Sequence, residues 1–564
     1  MGSRKSAPRL EGDALKAVEH RGSHLQIIAS AGSGKTEVVS QRVADLLAEG
    51  VPADGIVAFT FTERAAQELK ERIADRVLGR LGTTALDKLN GLYVGTIHAY
   101  CFQFLQRHVP RYETYDVLDD NQLTAFLARE ANRLEIRQLD QRNRIYASIS
   151  TFLKGVDVVE NELLDPDSMP EPFKSVLARY YATLDRYRLL TYGQQIGRAV
   201  AELETNESNA VSETLQHLIV DEYQDVNPAQ ERLIELLTGP DVELCVVGDD
   251  QQAVYQWRGS DVSNIVEFSS RYEGVATYEI LTNRRARPLI IRAANQFAES
   301  IPDRIAKAMT PDRVSSAGGE EIVAWYGADE AEEVGWIAQM IMDLHEDGIP
   351  YRDMAVLVRG RASYPVLLQH FATFGIPVQP DGRSGLFEQP EAKALGMTYV
   401  WLTGIDWKEQ YSGGIKVDEA ALIDEYRRAF SLSQPQVNVL KKFLNTWKAI
   451  VPKEDRTANL VGEFYDLLDL LDVKSWDLDD PVNVNRLGTL ARFSSLIADY
   501  ESTYRRSRPD ADTPGEQVGG VDRGKWYYRA LAVYIANYAN RTYAGFDGEP
   551  DFAMDAIALL TVHR

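Results

Sequence analysis

Cysteine is almost absent. Two residues, Cys101 and Cys245, occur in 564, which excludes a disulfide framework and a four-thiolate metal site. No apolar run approaches the roughly 18 residues that a membrane span needs, and the start carries no signal-peptide pattern. A cytoplasmic protein without membrane contact is therefore expected. No internal repeat with a period of 20–50 residues is evident. Basic residues are in deficit, 61 Lys and Arg against 84 Asp and Glu, for a net charge of −23. Phosphate contact needs local Lys and Arg, so this balance argues mildly against a nucleic-acid binder. A groove between domains can be basic under an acidic outer surface, and composition leaves the partner open.

What is present is an ordinary globular composition, 45% apolar and 26% charged. The length exceeds what one hydrophobic core holds, and three or four domains are expected. Leu25 to Ile28 form a short apolar run. Ala29-Ser30-Ala31-Gly32-Ser33-Gly34-Lys35-Thr36 follows, and then a helix-like stretch. Strand, glycine loop and helix in that order make a phosphate cradle. Gly32 and Gly34 let backbone amides approach phosphate oxygens. Lys35 can reach the β- and γ-phosphates, and Thr36 can offer its hydroxyl to Mg²⁺. Ala29 stands where the general pattern has its first glycine.

Leu215 to Val220 reads as a buried strand with Asp221-Glu222-Tyr223-Gln224-Asp225 at its carboxyl end, where open α/β sheets place ligands. Asp221 is suited to hold Mg²⁺ through its water shell, and Glu222 to orient and deprotonate an attacking water. A third run, Glu243 to Gly248, is another strand. It ends in Asp249-Asp250-Gln251-Gln252-Ala253-Val254-Tyr255-Gln256-Trp257-Arg258-Gly259. This resembles the G-D-x-x-Q-x-I-Y-x-F/W-R-G motif of the UvrD/Rep family of superfamily 1 DNA helicases. The resemblance makes Gln252 a γ-phosphate sensor and turns Tyr255, Trp257 and Arg258 toward single-stranded DNA. The chemistry agrees, because an aromatic platform stacks any base without reading sequence. Packing into the core is the competing role for Trp257.

Two further segments are similar to motifs of that family. Ala58 to Ala66 makes Phe61 and Thr62 DNA-facing, and Thr96-Ile97-His98-Ala99-Tyr100 points Thr96 and His98 at the phosphate backbone. Taken alone, a Thr at a strand end is more often a helix cap. Leu281 to Arg285 occupies the place of the N-Y-R motif. By that match Arg285 is the arginine that reaches the γ-phosphate across an interdomain cleft. Ala556 to Arg564 resembles the strand that opens the fifth motif, T-x-H-x-x-K-G-L-E, which adds Thr561 and His563 to the DNA contacts. The chain stops before the Lys-Gly-Leu-Glu part, and the sixth motif is absent. The expectation is a fragment, or a chain completed by a downstream domain or a protein partner, with poor ATPase activity of its own.

The resemblance implies an α/β fold of two RecA-like P-loop NTPase lobes with parallel sheets, each carrying a mostly helical insertion. The first lobe is expected at 1–108 and 191–275 with its insertion at 109–190, where Tyr180, Tyr181, Arg186 and Arg188 are candidate DNA contacts or simply packing and solvated surface. The second is expected at 276–390 and 551–564, with its insertion at 391–550. The implied activity is ATP-dependent 3′–5′ movement on single-stranded DNA and at single-strand/duplex junctions, with ATP and Mg²⁺ as cofactors. Two alternatives stay open, a helicase–nuclease subunit of the AddA type and a nucleotide-switched DNA sensor in repair or defence. The sequence departs from the family where the base is read. Ala14 replaces the glutamine of the N-terminal motif, and Glu37 and Arg284 replace the arginine and tyrosine that sandwich adenine. An acidic and a basic residue there suggest a Glu37–Arg284 pair across the cleft; the other reading turns both to solvent.

Overall fold

The computed structural model describes residues 8–82, 89–140, 142, 144–205, 214–254, 259–302, 304–315, 321–360, 363–380, 386–387, 389–407, 414–478, 480–509, 517–520, 522–539 and 555–561. Tyr255, Trp257, Arg258 and His563 lie outside them. The chain divides into two compact units. One comprises 1–117, 154–170 and 188–324, the other 118–153, 171–187 and 325–564.

The first unit is built on a six-stranded parallel sheet. Its order is Tyr93–Thr96, Ile56–Thr60, His217–Val220, Glu243–Gly248, Leu25–Ala29, Ala276–Ile280. The inner strands are apolar and buried along their length, as parallel strands covered by helices on both faces must be. Side-chain alternation sorts them into two cores. Leu25, Ile27, Ile56, Ala58, Ile219, Cys245 and Val247 face the helices Gly12–Glu19, Lys35–Glu49 and Glu63–Leu81. Val57, Phe59, Leu218, Val220, Leu244 and Val246 face Ile97–His108, Tyr192–Thr205 and Pro228–Leu237. The two cysteines are buried in different cores and free.

Ala276–Ile280 pairs with Leu25–Ala29 over five residues. The segment that the sequence reading gave to a second lobe thus begins as the edge strand of the first sheet. Pairing wins because its only buried end, Ile280, joins the same core as Ala29. The stretch 109–190 is also divided. Residues 118–153 and 171–187 group with the second unit, where Ala125 enters the core of the later helices. Tyr180 is fully buried against Phe152, in the packing role.

The second unit holds a three-stranded parallel sheet, Ala355–Val358, Ile557–Thr561 and Val378–Pro380, with Ile557–Thr561 in the middle. Val334, Ala338, Tyr364, Leu367 and Phe371 of two helices cover it. A separate helical core gathers Pro390–Thr403, Glu419–Phe430, Gln434–Ile450, Leu460–Leu470, Pro481–Arg505 and Gly524–Ala539. The architecture is that of two RecA-like lobes with a large helical insertion. Among the described residues no helix is long and apolar enough to cross a membrane.

Candidate active site

Adjacent strands Leu25–Ala29, Glu243–Gly248 and His217–Val220 deliver three loops to one edge of the first sheet. The glycine loop turns tightly, Ser33 N–H donating to Ser30 O at 3.2 Å. Gly34, at φ 97°, caps the helix that begins at Lys35, a left-handed position that disfavours any side chain. The first turn of that helix presents unpaired N–H groups and the positive end of its dipole, the usual anion seat. Gly32, at φ 64°, leaves no room for a Cβ, which would lie 2.8 Å from Arg285 Cβ. Ser33 Oγ is buried and has no hydrogen-bond partner. Such an orphaned donor within a ring of amides fits a phosphate oxygen.

Lys35 Nζ lies 2.9 Å from Glu222 Oε2. Glu222 sits at φ 51°, ψ 44°, a strained backbone for a non-glycine residue. The turn after it is pinned from outside the site. Tyr223 donates its buried hydroxyl to both oxygens of Glu231, at 2.7 and 2.6 Å, and Tyr272 donates to the same carboxylate at 3.1 Å. Gln224 bridges two loops: its Nε2 donates to Glu222 Oε2 at 3.0 Å, and its Oε1 accepts from Asp249 N–H at 2.9 Å. Burial, and then the charge of Glu222, push the Asp221 carboxyl up to about 6 and that of Asp225 up to about 7.

Among the described residues no group of three or more His, Cys, Asp or Glu is arranged to hold a metal ion. The donors present, the Thr36 hydroxyl and Asp221, suit Mg²⁺, which commonly takes one or two carboxylates, waters and substrate phosphate. Gln252 donates to Asp249 Oδ2 at 2.5 Å.

The segment 283–285 closes over the glycine loop. Asn283 Nδ2 donates to Ala31 O, Arg284 N–H to Gly32 O, and Arg284 Nη1 to Ser33 O, at 2.8, 2.9 and 2.8 Å. Arg284 and Arg285 therefore belong to the same compact unit as Lys35. They do not reach the loop across a cleft, because the strand before them completes the first sheet.

Glu37 is not paired with Arg284. Its carboxylate accepts from Arg76 Nε and Nη2, both at 2.8 Å, and from Gln41 at 2.7 Å. The reason is local: Lys35–Glu49 and Glu63–Leu81 pack side by side, so Arg76 is the nearer cation. Glu37→Arg is accordingly expected to lower thermal stability, and Arg284→Tyr to give no rescue. Arg76→Glu in the same background restores stability, for a 37–76 coupling of about 2–3 kcal/mol. Thermal unfolding of the single and double variants measures this, and rescue by Arg284→Tyr would return Arg284 as the partner.

The threonines named as DNA-facing are helix caps here. Thr62 Oγ1 accepts from Ala65 N–H at 3.1 Å; Thr96 Oγ1 accepts from Ala99 N–H at 3.3 Å and donates to Glu63 at 2.8 Å. Phe61 is half-buried directly after Ile56–Thr60. His98 packs edge-on to Tyr192, and burial lowers it to about 4, so near neutral pH it carries no charge. Thr561 ends the central strand of the second unit, opposite Val358.

A family model described as the UvrD/REP helicase N-terminal domain matches residues 10–273, and one described as the UvrD-like helicase C-terminal domain matches 278–403. This chain belongs to the UvrD/Rep helicase family. It is 32% identical over 410 residues to the ATP-dependent DNA helicase UvrD1 of Mycobacterium tuberculosis, covering 67% of this chain and 50% of that protein. It is 29% identical over 407 residues to the ATP-dependent DNA helicase PcrA of Staphylococcus aureus, covering 68% and 52%. The chain thus spans about half the length of these relatives. Both models of the UvrD/Rep family meet in the site, since Lys35, Glu222 and Gln252 lie in the first match and Arg284 and Arg285 in the second.

The sequence reading missed the residues that hold this site in place. Gln224 and Asn283 lie inside quoted motifs without a role, and Glu231 and Arg76 carry no pattern that marks them.

Proposed function

We propose that this chain is the motor portion of an ATP-dependent DNA helicase that moves 3′ to 5′ along single-stranded DNA. The observation that carries the reading is the approach of Lys35 to Glu222 at 2.9 Å, across the ends of two strands in a glycine-loop site. A triphosphate carries denser negative charge than a carboxylate, so on binding it draws the Lys35 ammonium away from Glu222. Glu222 Oε2 is then free to take a proton from water, still oriented by Gln224. Thr36 and Asp221 would hold Mg²⁺, which supplies charge neutralisation at the phosphates. Gln252 and Arg285 serve the γ-phosphate, and the amides of the glycine loop steady the rest.

Single-stranded DNA is assigned to the segments around Phe61, Thr62, Thr96, His98, Tyr255, Trp257, Arg258, Thr561 and His563. The test is ATP hydrolysis by the full chain with and without single-stranded DNA, followed by unwinding of 3′-tailed and 5′-tailed duplexes. Hydrolysis that is weak but rises with DNA, and unwinding from the 3′ tail alone, are expected. Unwinding from the 5′ tail, or turnover indifferent to DNA, refutes the assignment. Trp257→Ala is expected to weaken DNA stimulation about equally for poly-dT and mixed sequences, each lost base stack being worth roughly 1–3 kcal/mol. Stimulation unchanged in Trp257→Ala places that side chain in the core instead.

A further inference from the structure

Lys307 has no part in any motif, yet its ammonium is sunk between two carboxylates of the γ-phosphate loop. Its side chain is 1% exposed, 2.8 Å from Asp249 Oδ1 and in contact with Asp250 Oδ1. Asp250 is itself buried and accepts Ile305 N–H at 2.8 Å. Asp249 holds Gln252 through its other oxygen. A carboxylate paired with an ammonium can only accept, so it fixes which way the Gln252 amide faces. The nitrogen is turned to Asp249, and the carbonyl oxygen is the end that Asp249 does not hold.

From Lys307 the chain runs directly to the other side of the site. Asn295 clamps Met309 through both backbone groups, each at 2.9 Å. Thr310 and Pro311 pair in parallel with Thr282 and Asn283. Arg313 Nη1 donates to Arg285 O at 2.8 Å. The strap 305–313 is thus fastened at one end to the loop that carries Gln252 and at the other to the turn that carries Arg285. A surface loop needs no fully buried lysine, and an ion pair this deep is costly unless its geometry is well satisfied.

We propose that Lys307 is a positioning residue that sets Gln252 and Arg285 together around the γ-phosphate. This rests on the motor reading above and extends it to a residue outside the motifs. Lys307→Met leaves the glycine loop, Lys35 and Asp221 untouched, so nucleotide should still bind. A displacement of about 1 Å in the reacting groups costs on the order of 100-fold in rate, and kcat is expected to fall by about that much. Lys307→Arg keeps the charge and should recover most of the loss.

The experiment measures three things on the full chain for wild type, Lys307→Met and Lys307→Arg. They are affinity for a fluorescent ATP analogue, kcat and KM for DNA-stimulated hydrolysis, and backbone hydrogen exchange. Val43→Ala, a core truncation in the same unit, serves as a control for simple loss of stability. A fall in kcat in Lys307→Met alone, with little change in analogue affinity, supports the proposal. An equal fall in Val43→Ala at matched loss of melting temperature overturns it. Absence of hydrolysis in wild type would count against the motor reading, and hydrogen exchange then decides the role of Lys307 separately. Positioning requires that Lys307→Met speeds exchange of the Gln252 and Arg285 amides, which lie at the two ends of the strap. Faster exchange confined to 305–307 means that Lys307 only stabilises its own segment, and the proposal fails.

Discussion

Lys35→Ala is expected to remove both tight nucleotide binding and DNA-stimulated ATP hydrolysis, whereas Glu222→Gln removes hydrolysis alone. The two side chains form one ion pair, so the contrast between them is informative. Lys35 is the cation of the phosphate cradle, and its loss removes a point charge that the glycine-loop amides and the helix end cannot replace. Glu222 contributes no attraction to phosphate; its negative charge competes for Lys35. Glu222→Gln keeps an oxygen that can accept from Lys35, yet weakens that competition. Affinity for a fluorescent ATP analogue should therefore stay level or rise. Turnover should drop by roughly 10³-fold or more, since an amide cannot take the proton from water. Phosphate release and analogue titration on the two variants give the answer. Turnover within tenfold of wild type in Glu222→Gln would remove Glu222 as the base. Undiminished affinity in Lys35→Ala would move the phosphate site elsewhere.

The convergence of the candidate site was legible because it is built from short, contiguous segments. An apolar strand followed by a glycine loop or an acidic pair announces itself, and the structure brings all three such segments to neighbouring strand ends. What escaped the sequence reading depends on long-range packing. Glu37 faces Arg76 because two helices lie side by side, and nothing in either helix marks the pair. The edge strand Ala276–Ile280 exposes alternate residues and reads as weakly as any isolated strand, so the sequence does not show that the first unit continues past residue 275, as far as residue 324. Division of 109–190 between two units was equally hidden, since its helices are amphipathic whichever core they join. Lys307 lies 57 residues from Asp250 in sequence and one more from Asp249, and a lone lysine in a loop normally means solvent.

Gly248→Ala should be the most damaging single-methyl change in the site, although Gly248 touches no substrate. It ends the strand Glu243–Gly248 with ordinary extended backbone, so the constraint is space and not conformation. A Cβ built there would lie 2.5 Å from Gln224 Oε1, 2.5 Å from Ile265 Cδ1 and 3.3 Å from Tyr223 N. Gln224 must then withdraw, and with it go the bond to Glu222 and the cap on Asp249 N–H. Overpacking costs about 1–3 kcal/mol, and an orphaned buried N–H adds about 1–3 kcal/mol. A loss of about 2–6 kcal/mol and a steep fall in kcat are expected together. The two consequences can be separated. Ile265→Val removes the colliding methyl and Gln224→Ala removes the colliding amide, so the triple variant should regain the part of its melting temperature lost to overpacking, while Asp249 N–H stays uncapped. Hydrolysis should stay low in it, because nothing orients Glu222. Thermal unfolding and kcat across the single, double and triple variants test this. If activity returned along with stability, Gln224 would be packing material and not the orienter of the base.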